Sequence, residues 1–178
     1  ALYTRLSFNE SDGFRQSSDI RQRNLFVSVA KQNESSQLRL TGFTAREWQQ
    51  LSFYATDAET LKSDLRANPL TPEEKDSFGY DLAQLQYLRA FSGRTDMTAS
   101  AYYQRGYGWY RLYDYSSAEP QLRQYGLDGL LLGSLVTLSQ RFGDLTTSYG
   151  VHVNRFRREH TRDLVRGPRD YENYGTKG

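Results

Sequence analysis

The chain has no cysteine, one methionine, two histidines and four prolines in 178 residues. Without thiols, disulfide frameworks, thiolate zinc sites and cysteine nucleophiles are excluded, and the redox compartment stays open. No run of about 18 apolar residues occurs, which excludes a membrane-spanning helix. Ala1 opens directly in alternating sequence, with no positively charged and apolar leader, so the expectation is either that a signal has been removed or that the sequence is an excised piece. Lysine is scarce as well. Lys31, Lys62, Lys75 and Lys177 are the only ones among 23 basic residues; the rest are arginine. Against 21 acidic residues this leaves a formal charge of +2, and the excess of guanidinium over ammonium favours planar hydrogen bonding over diffuse solvation. The densest basic cluster, Arg155, Arg157, Arg158, Arg162, Arg166 and Arg169, is interleaved with Glu159, Asp163 and Asp170, which argues against nucleic acid as a partner.

What is abundant is aromatic: 14 tyrosines and 9 phenylalanines in a chain that is only 37% hydrophobic, with mean hydropathy −0.78. The apolar residues recur with a period of two, which is the repeat of a strand. Leu2, Thr4, Leu6 and Phe8 oppose Tyr3, Arg5 and Ser7. Leu25, Val27 and Val29 oppose Asn24, Phe26 and Ser28, and Leu38 and Leu40 oppose Arg39 and Thr41 after the turn-forming run Asn33-Glu34-Ser35-Ser36. Ala83, Leu85 and Tyr87 alternate with Gln84 and Gln86, and Met97, Ala99, Ala101 and Tyr103 with Thr98, Ser100, Tyr102 and Gln104. Leu130, Leu132, Val136 and Leu138 precede Gly143-Asp144, and Leu145, Thr147, Tyr149, Val151 and Val153 follow it. The pattern predicts about seven antiparallel strands.

The connections decide the architecture. Short turns (33 to 36, 92 to 95, 142 to 144) alternate with long polar loops (9 to 20, about 46 to 77, about 107 to 126, and 158 onward). In an antiparallel meander this sorts every tight turn to one rim and every long loop to the other, as in transmembrane β-barrels. Strands of about nine to fifteen residues are long enough to cross hydrocarbon when tilted. Tyr87, Phe91, Tyr103, Phe142 and Tyr149 lie on the apolar faces, several near strand ends where interfacial girdles belong. Within the longest loop, Asp57-Ala58-Glu59-Thr60 followed by Leu61, Leu65 and Leu70 reads as a capped helix start, and Thr71-Pro72-Glu73-Glu74 as a second one. No linker divides the chain, so residues 1–178 are expected to be one unit.

Several segments carry a family resemblance. Ser11-Asp12-Gly13-Phe14-Arg15 with Ser17-Ser18-Asp19 and a strand is similar to the early barrel strands and first loops of TonB-dependent outer-membrane receptors. The run Tyr102-Tyr103-Gln104-Arg105-Gly106-Tyr107-Gly108-Trp109-Tyr110 resembles a strand entering an aromatic, Gly-rich extracellular loop of those receptors. Tyr125-Gly126-Leu127-Asp128-Gly129 through Asn154-Arg155-Phe156, and Tyr171-Glu172-Asn173-Tyr174, resemble the hairpin and loop that follow. The resemblance covers most of the chain. It implies an all-β antiparallel meander, part of a transmembrane barrel with short periplasmic turns and long extracellular loops, in the bacterial outer membrane. It also implies active uptake of a scarce nutrient, such as a ferric siderophore, haem or cobalamin, driven by the TonB complex through a plug domain. That family's barrel has about 22 strands; here there is no plug, no TonB-contacting segment and no closing aromatic residue, so the implied reading is a partial barrel.

The residues themselves offer little catalytic chemistry. His152 and His160 have no metal-pair spacing, and His152 is expected to face the lumen as a polar filler. Glu73 with Glu74, and Glu10 with Asp12, lie in solvated loop sequence; no Ser nucleophile, phosphate loop or dinucleotide motif appears. Asp12-Gly13 is expected to be turn chemistry, since a calcium loop needs more oxygen ligands at fixed spacing. The expectation is therefore a non-enzyme, with neither cofactor nor metal. Candidate ligand-binding residues are Trp48, Tyr54, Tyr107, Trp109, Tyr110, Arg111, Tyr113, Arg157 and Arg158, types that stack on ligands and grip anionic oxygen. Expected partners are a small-molecule nutrient, the TonB complex and outer-membrane lipid, with no nucleic acid. The competing reading is a soluble all-β carbohydrate-binding or adhesion module with its apolar faces buried between two sheets; a small porin or assembly barrel is a third.

Overall fold

Period-two alternation is realised along nearly the whole chain. The computed structural model describes residues 1–116 and 119–167, and its strands are β1 (Leu2–Ser11), β2 (Ile20–Gln32), β3 (Ser36–Gln50), β4 (Lys75–Ser92), β5 (Thr95–Asp114), β6 (Gln121–Phe142) and β7 (Leu145–Arg166). They form one antiparallel sheet in sequence order, β1-β2-β3-β4-β5-β6-β7, in which β1 and β7 are the two edges. Among the described residues no helix is long and apolar enough to cross a membrane. Tyr171 to Tyr174 and the residues from 168 onward lie outside the described residues.

Loops are sorted as expected. Residues 33–35, 93–94 and 143–144 join strands at one rim, and residues 12–19, 51–74 and 115–120 at the other. The tight turns have visible causes. Asn33 Oδ1 accepts from the backbone N–H of Ser35 (3.1 Å) and Ser36 (2.7 Å), an Asx turn. Gly143 adopts φ +60°, which a side chain would resist.

The long loops are all shorter than the sequence suggests, the last two by the most. Alternation of polar and aromatic residues runs on past the expected strand ends, so 107 to 114 belong to β5, 121 to 126 to β6 and 158 to 166 to β7. Tyr, Trp and Arg there look like loop chemistry in sequence, but in strands of 20 and 22 residues the ladders between β5, β6 and β7 pair the backbone along nearly their whole length. The first helix start is correct: α1 (Ala58–Ser63) is capped by Asp57, which accepts from the Thr60 N–H at 2.9 Å. The second is not a helix. Only half of a capping box forms: Thr71 N–H donates to the Glu74 carboxylate (2.8 Å), while Glu74 N–H closes a backbone turn onto Thr71 C=O (3.0 Å) and Thr71 Oγ1 has no partner among the described residues. The turn ends there because Lys75 begins pairing with Gln50 in the sheet.

Register turns local alternation into two continuous faces. Paired residues share a face: Leu2–Val29–Leu40–Leu85–Ala101–Ser134–Val153 is one row, and Val151–Val136–Ala99–Tyr87–Leu38 is the next toward the short turns. The opposite face carries Tyr3–Ser28–Thr41–Gln84–Tyr102–Gly133–Asn154. There Tyr102 lies across Gly133, and its hydroxyl meets His152 Nε2 at 2.7 Å. His152 is therefore on the polar face. The apolar face is the more exposed of the two: on β4, Ala83 and Leu85 are exposed while Gln84 and Gln86 are half-buried. Side chains converge on the inside of a curled sheet and splay on its outside, so this asymmetry fits a sheet curled around its polar face.

Candidate functional site

The buried core of this protein is not in the sheet but at the long-loop rim. Loop 51–74 folds back onto the sheet end and buries Leu51, Leu70 and Leu122 together with Glu74 and Gln121. Glu74 is the keystone, 2% exposed. One carboxylate oxygen accepts from Thr71 N–H and the other from Tyr113 N–H at 3.1 Å, which ties the loop to the end of β5. Loop 12–19 is laced to the same structure. Arg15 donates to the carbonyls of Ser52 (3.0 Å) and Tyr54 (2.6 Å), Arg66 to Phe14 O (2.8 Å), and the Asn68 amide reaches the carbonyls of Gln16, Ser17 and Leu51. The rim is thus built from backbone acceptors gripped by long polar side chains.

Glu73, next in chain and half-buried, accepts from the Tyr113 hydroxyl and from Arg166 (3.0 Å). The Tyr113 hydrogen bond, with Arg166 adding to it, holds the Glu73 carboxyl below its usual range. A lowered folded-state pKa stabilises the latch above the unfolded value near 4.3 and loses it as pH falls through the lowered one. Protease cleavage within residues 51–74 is therefore expected to rise on acidification below about pH 4, and Glu73→Gln is expected to raise it already at pH 7, by less than about tenfold. A Glu73→Gln protein with an unchanged acid response would rule this latch out.

Below the rim, the polar face opens into a groove. One cavity of about 530 Å³ is lined by Phe78, Tyr110, Tyr125, Leu127, Arg158, His160 and Arg162, among others. A neighbouring cavity of about 430 Å³ shares Phe78 and Leu127 with it and adds Gln22, Asn24, Glu47 and Tyr80. Tyr110 and Tyr125 are stacked, with centroids 5.0 Å apart and planes 15° from parallel. Arg162 lies 5.7 Å from the Tyr125 centroid and is anchored by Asp114, which also takes Arg123. Arg158 sits 5.5 Å from the Phe156 ring with no carboxylate partner among the described residues. The arrangement offers flat aromatic surface beside cationic donors, suited to a planar or anionic ligand. Asp76 is buried in the same row as Tyr110 and Tyr125, with one oxygen on Gln49 (2.9 Å) and the other unpartnered.

The nine residues expected to form one binding surface are divided by the strand period. Tyr110 and Arg158 line the larger cavity of the groove, and Tyr107 is among the residues around the smaller one. Tyr113 serves the loop latch, and Tyr54 packs on Phe53 at 4.5 Å in loop 51–74. Trp48, Tyr107, Trp109, Arg111 and Arg157 fall on the apolar face instead, beyond the end of its apolar band: Arg111 lies over Trp109 at 4.6 Å and bonds Gln124, and Arg157 pairs with Glu159. Phe78, Tyr125, His160 and Arg162 were not among the expected residues. Extending the alternation of β6 and β7 past Gly129 and Arg157 is the signal that places Tyr125, His160 and Arg162, and extending that of β4 back from Ala83 places Phe78, since odd and even positions there keep to their faces.

Among the described residues, no group of three His, Asp or Glu side chains is placed to hold a metal. Comparison of the chain with protein-family models, with curated proteins and with solved structures yields no match.

Proposed function

We propose that this sheet is an arc of a transmembrane β-barrel in a bacterial outer membrane, with its apolar face toward lipid and its polar groove toward the lumen. In this reading the long-loop rim is the extracellular mouth of a nutrient receptor of the TonB-dependent kind. The observation that carries it is the slope of the apolar band. The long-loop border of the band is ragged, running from Phe8 on β1 through Leu40, Tyr103 and Leu130 to Val153 on β7, but its short-turn border moves one way: Leu2 and Val29 lie in the row of Val153, Leu38 and Tyr87 in that of Val151, Met97 and Leu138 in that of Tyr149, and on β7 the band runs on to Leu145. From Val153 to Leu145 that is a descent of about 27 Å along the strands over about 29 Å across the sheet, or a slope of roughly 40°. Strands crossing a bilayer are tilted by about 35–45°, and a flat hydrocarbon slab cuts across them at that angle. On β6 and β7, where the runs Leu130 to Leu138 and Leu145 to Val153 are equally long, the tilted band is about 21 Å high, near the ~25 Å of outer-membrane barrels.

The free edges fit the same reading, because lipid tolerates no unpaired strand and further strands must pair with β1 and β7. A sandwich module would need a second sheet over the apolar face; the described strands make one sheet only. Uptake is supported by the groove of stacked Tyr110 and Tyr125 with Arg158 and Arg162 opening beneath the rim. In the full-length native protein, we expect sedimentation with outer membranes and a mobility shift between boiled and unboiled samples in detergent gels. A soluble protein indifferent to heating would overturn the barrel. A membrane barrel whose nutrient uptake is unaffected by Tyr125→Ala with Arg158→Ala would overturn the receptor reading alone.

A further inference from the structure

The apolar face ends, on the long-loop side, in an arginine-rich belt that the groove does not explain. Tyr107 lies flat on Gly79, where a Cβ would come within 2.7 Å of its ring. Its ring is held between two guanidiniums, Arg46 and Arg105, each 4.8 Å from the centroid. Arg105 grips Asp128 with both arms (3.0 and 2.5 Å), and Arg46 reaches Asp81 at 3.1 Å and Thr44 at 3.2 Å. These contacts fix the direction of both guanidiniums before anything binds. A shallow cavity of about 270 Å³, lined by Tyr103, Arg105, Asp128, Leu130, Arg157 and Glu159, straddles the line where apolar side chains give way to charged ones.

The belt is unbalanced. Over the three adjacent rows that contain Arg155, Arg157 and Glu159, this face presents Arg23, Arg46, Arg105, Arg155 and Arg157 against Asp81, Asp128 and Glu159. The side chains of Arg23 and Arg155 make no hydrogen bond or ion pair among the described residues. A guanidinium has five N–H donors and a carboxylate occupies at most two, so even the paired arginines keep donors directed outward. Planar paired donors match the oxygens of phosphate. Trp48 and Trp109 share a row just beyond, the position of an interfacial aromatic belt.

Resting on the barrel reading above, we infer that this belt binds the phosphate groups of the glycolipid headgroups in the leaflet on the long-loop side. Arg105 and Arg46 are the preset anchors, and Arg23 and Arg155 supply the unneutralised charge. The apolar side chains beneath, Leu130 and Tyr103, would meet the first acyl carbons of the same lipid. The larger cavity of the groove, with Tyr110, Tyr125, Arg158 and Arg162, includes none of these residues.

The test uses the full-length protein in detergent micelles, titrated with bisphosphorylated lipid A and with its dephosphorylated form, read by the fluorescence of Trp48 and Trp109 and by native mass spectrometry. The wild type is expected to bind the bisphosphorylated form at least about tenfold more tightly, as charge-assisted bidentate contacts would give. Arg23→Gln with Arg155→Gln should lose most of that preference without unfolding, because neither side chain has an internal partner. Arg105→Lys keeps the charge but not the fork, and should weaken binding in part. Equal binding of the two glycolipids by the wild type, full preference retained in the double variant, or inorganic phosphate bound as tightly as lipid A would overturn the inference. Boiled and unboiled migration of the same preparation separates the readings: a heat-shifted barrel without the preference overturns the belt alone, and no heat shift overturns the barrel.

Discussion

Leu85→Arg is expected to cost about 2–4 kcal/mol of folding stability in a bilayer, the range for a cation placed on the lipid face near the midplane of a barrel. Leu85 sits mid-band on β4, between Leu40 and Ala101, with 45% of its surface exposed. That exposure is what makes the prediction decisive. In water, a half-exposed leucine replaced by arginine changes stability little and improves solubility, whereas in hydrocarbon the guanidinium must snorkel or carry water with it. Urea titration of the full-length protein folded in lipid vesicles, compared with Gln86→Arg on the opposite face as a control, reads the difference. Equal and small effects at both positions would remove the lipid from the account of this face.

Glu74→Leu is expected to free loop 51–74 from the sheet at a cost of about 2–4 kcal/mol, because two backbone N–H groups lose their acceptor inside a buried site. The Thr71 and Tyr113 donors sit on opposite sides of the loop junction, so their loss separates loop from strand rather than unfolding the strands, which keep their ladders. Protease cleavage between residues 51 and 74 should rise by about 30-fold or more if opening precedes cutting. Glu74→Gln retains one good acceptor and should fall between. Cleavage unchanged in Glu74→Leu would show that Leu51 and Leu70 hold the loop by packing alone.

The faces were legible because strand alternation is local: Leu2 to Phe8, Met97 to Tyr103 and Leu145 to Val153 each declare their apolar side within a few residues. The sorting of loops was legible for the same reason, since turn residues such as Asn33 and Gly143 mark their own positions. Strand ends were not. The stretches 107–114 and 158–166 are polar and aromatic, and only pairing along β6 shows that they are strands with two faces rather than a loop with one. The Thr71 to Glu74 segment shows the same limit in reverse, a local helix signal that makes a single turn and is ended by the pairing of Lys75 with Gln50.

By itself, then, the sequence determined which residues share a face and which rim each loop joins, because a two-residue period needs no distant partner. Only the tertiary structure decided what meets across strands. Arg46, Tyr107 and Arg105 assemble from β3 and β5 over a glycine of β4, and Glu74 finds Tyr113 nearly forty residues away, because register, which no local stretch encodes, sets those distances. The same register slants the short-turn border of the apolar band, an arrangement invisible along the chain.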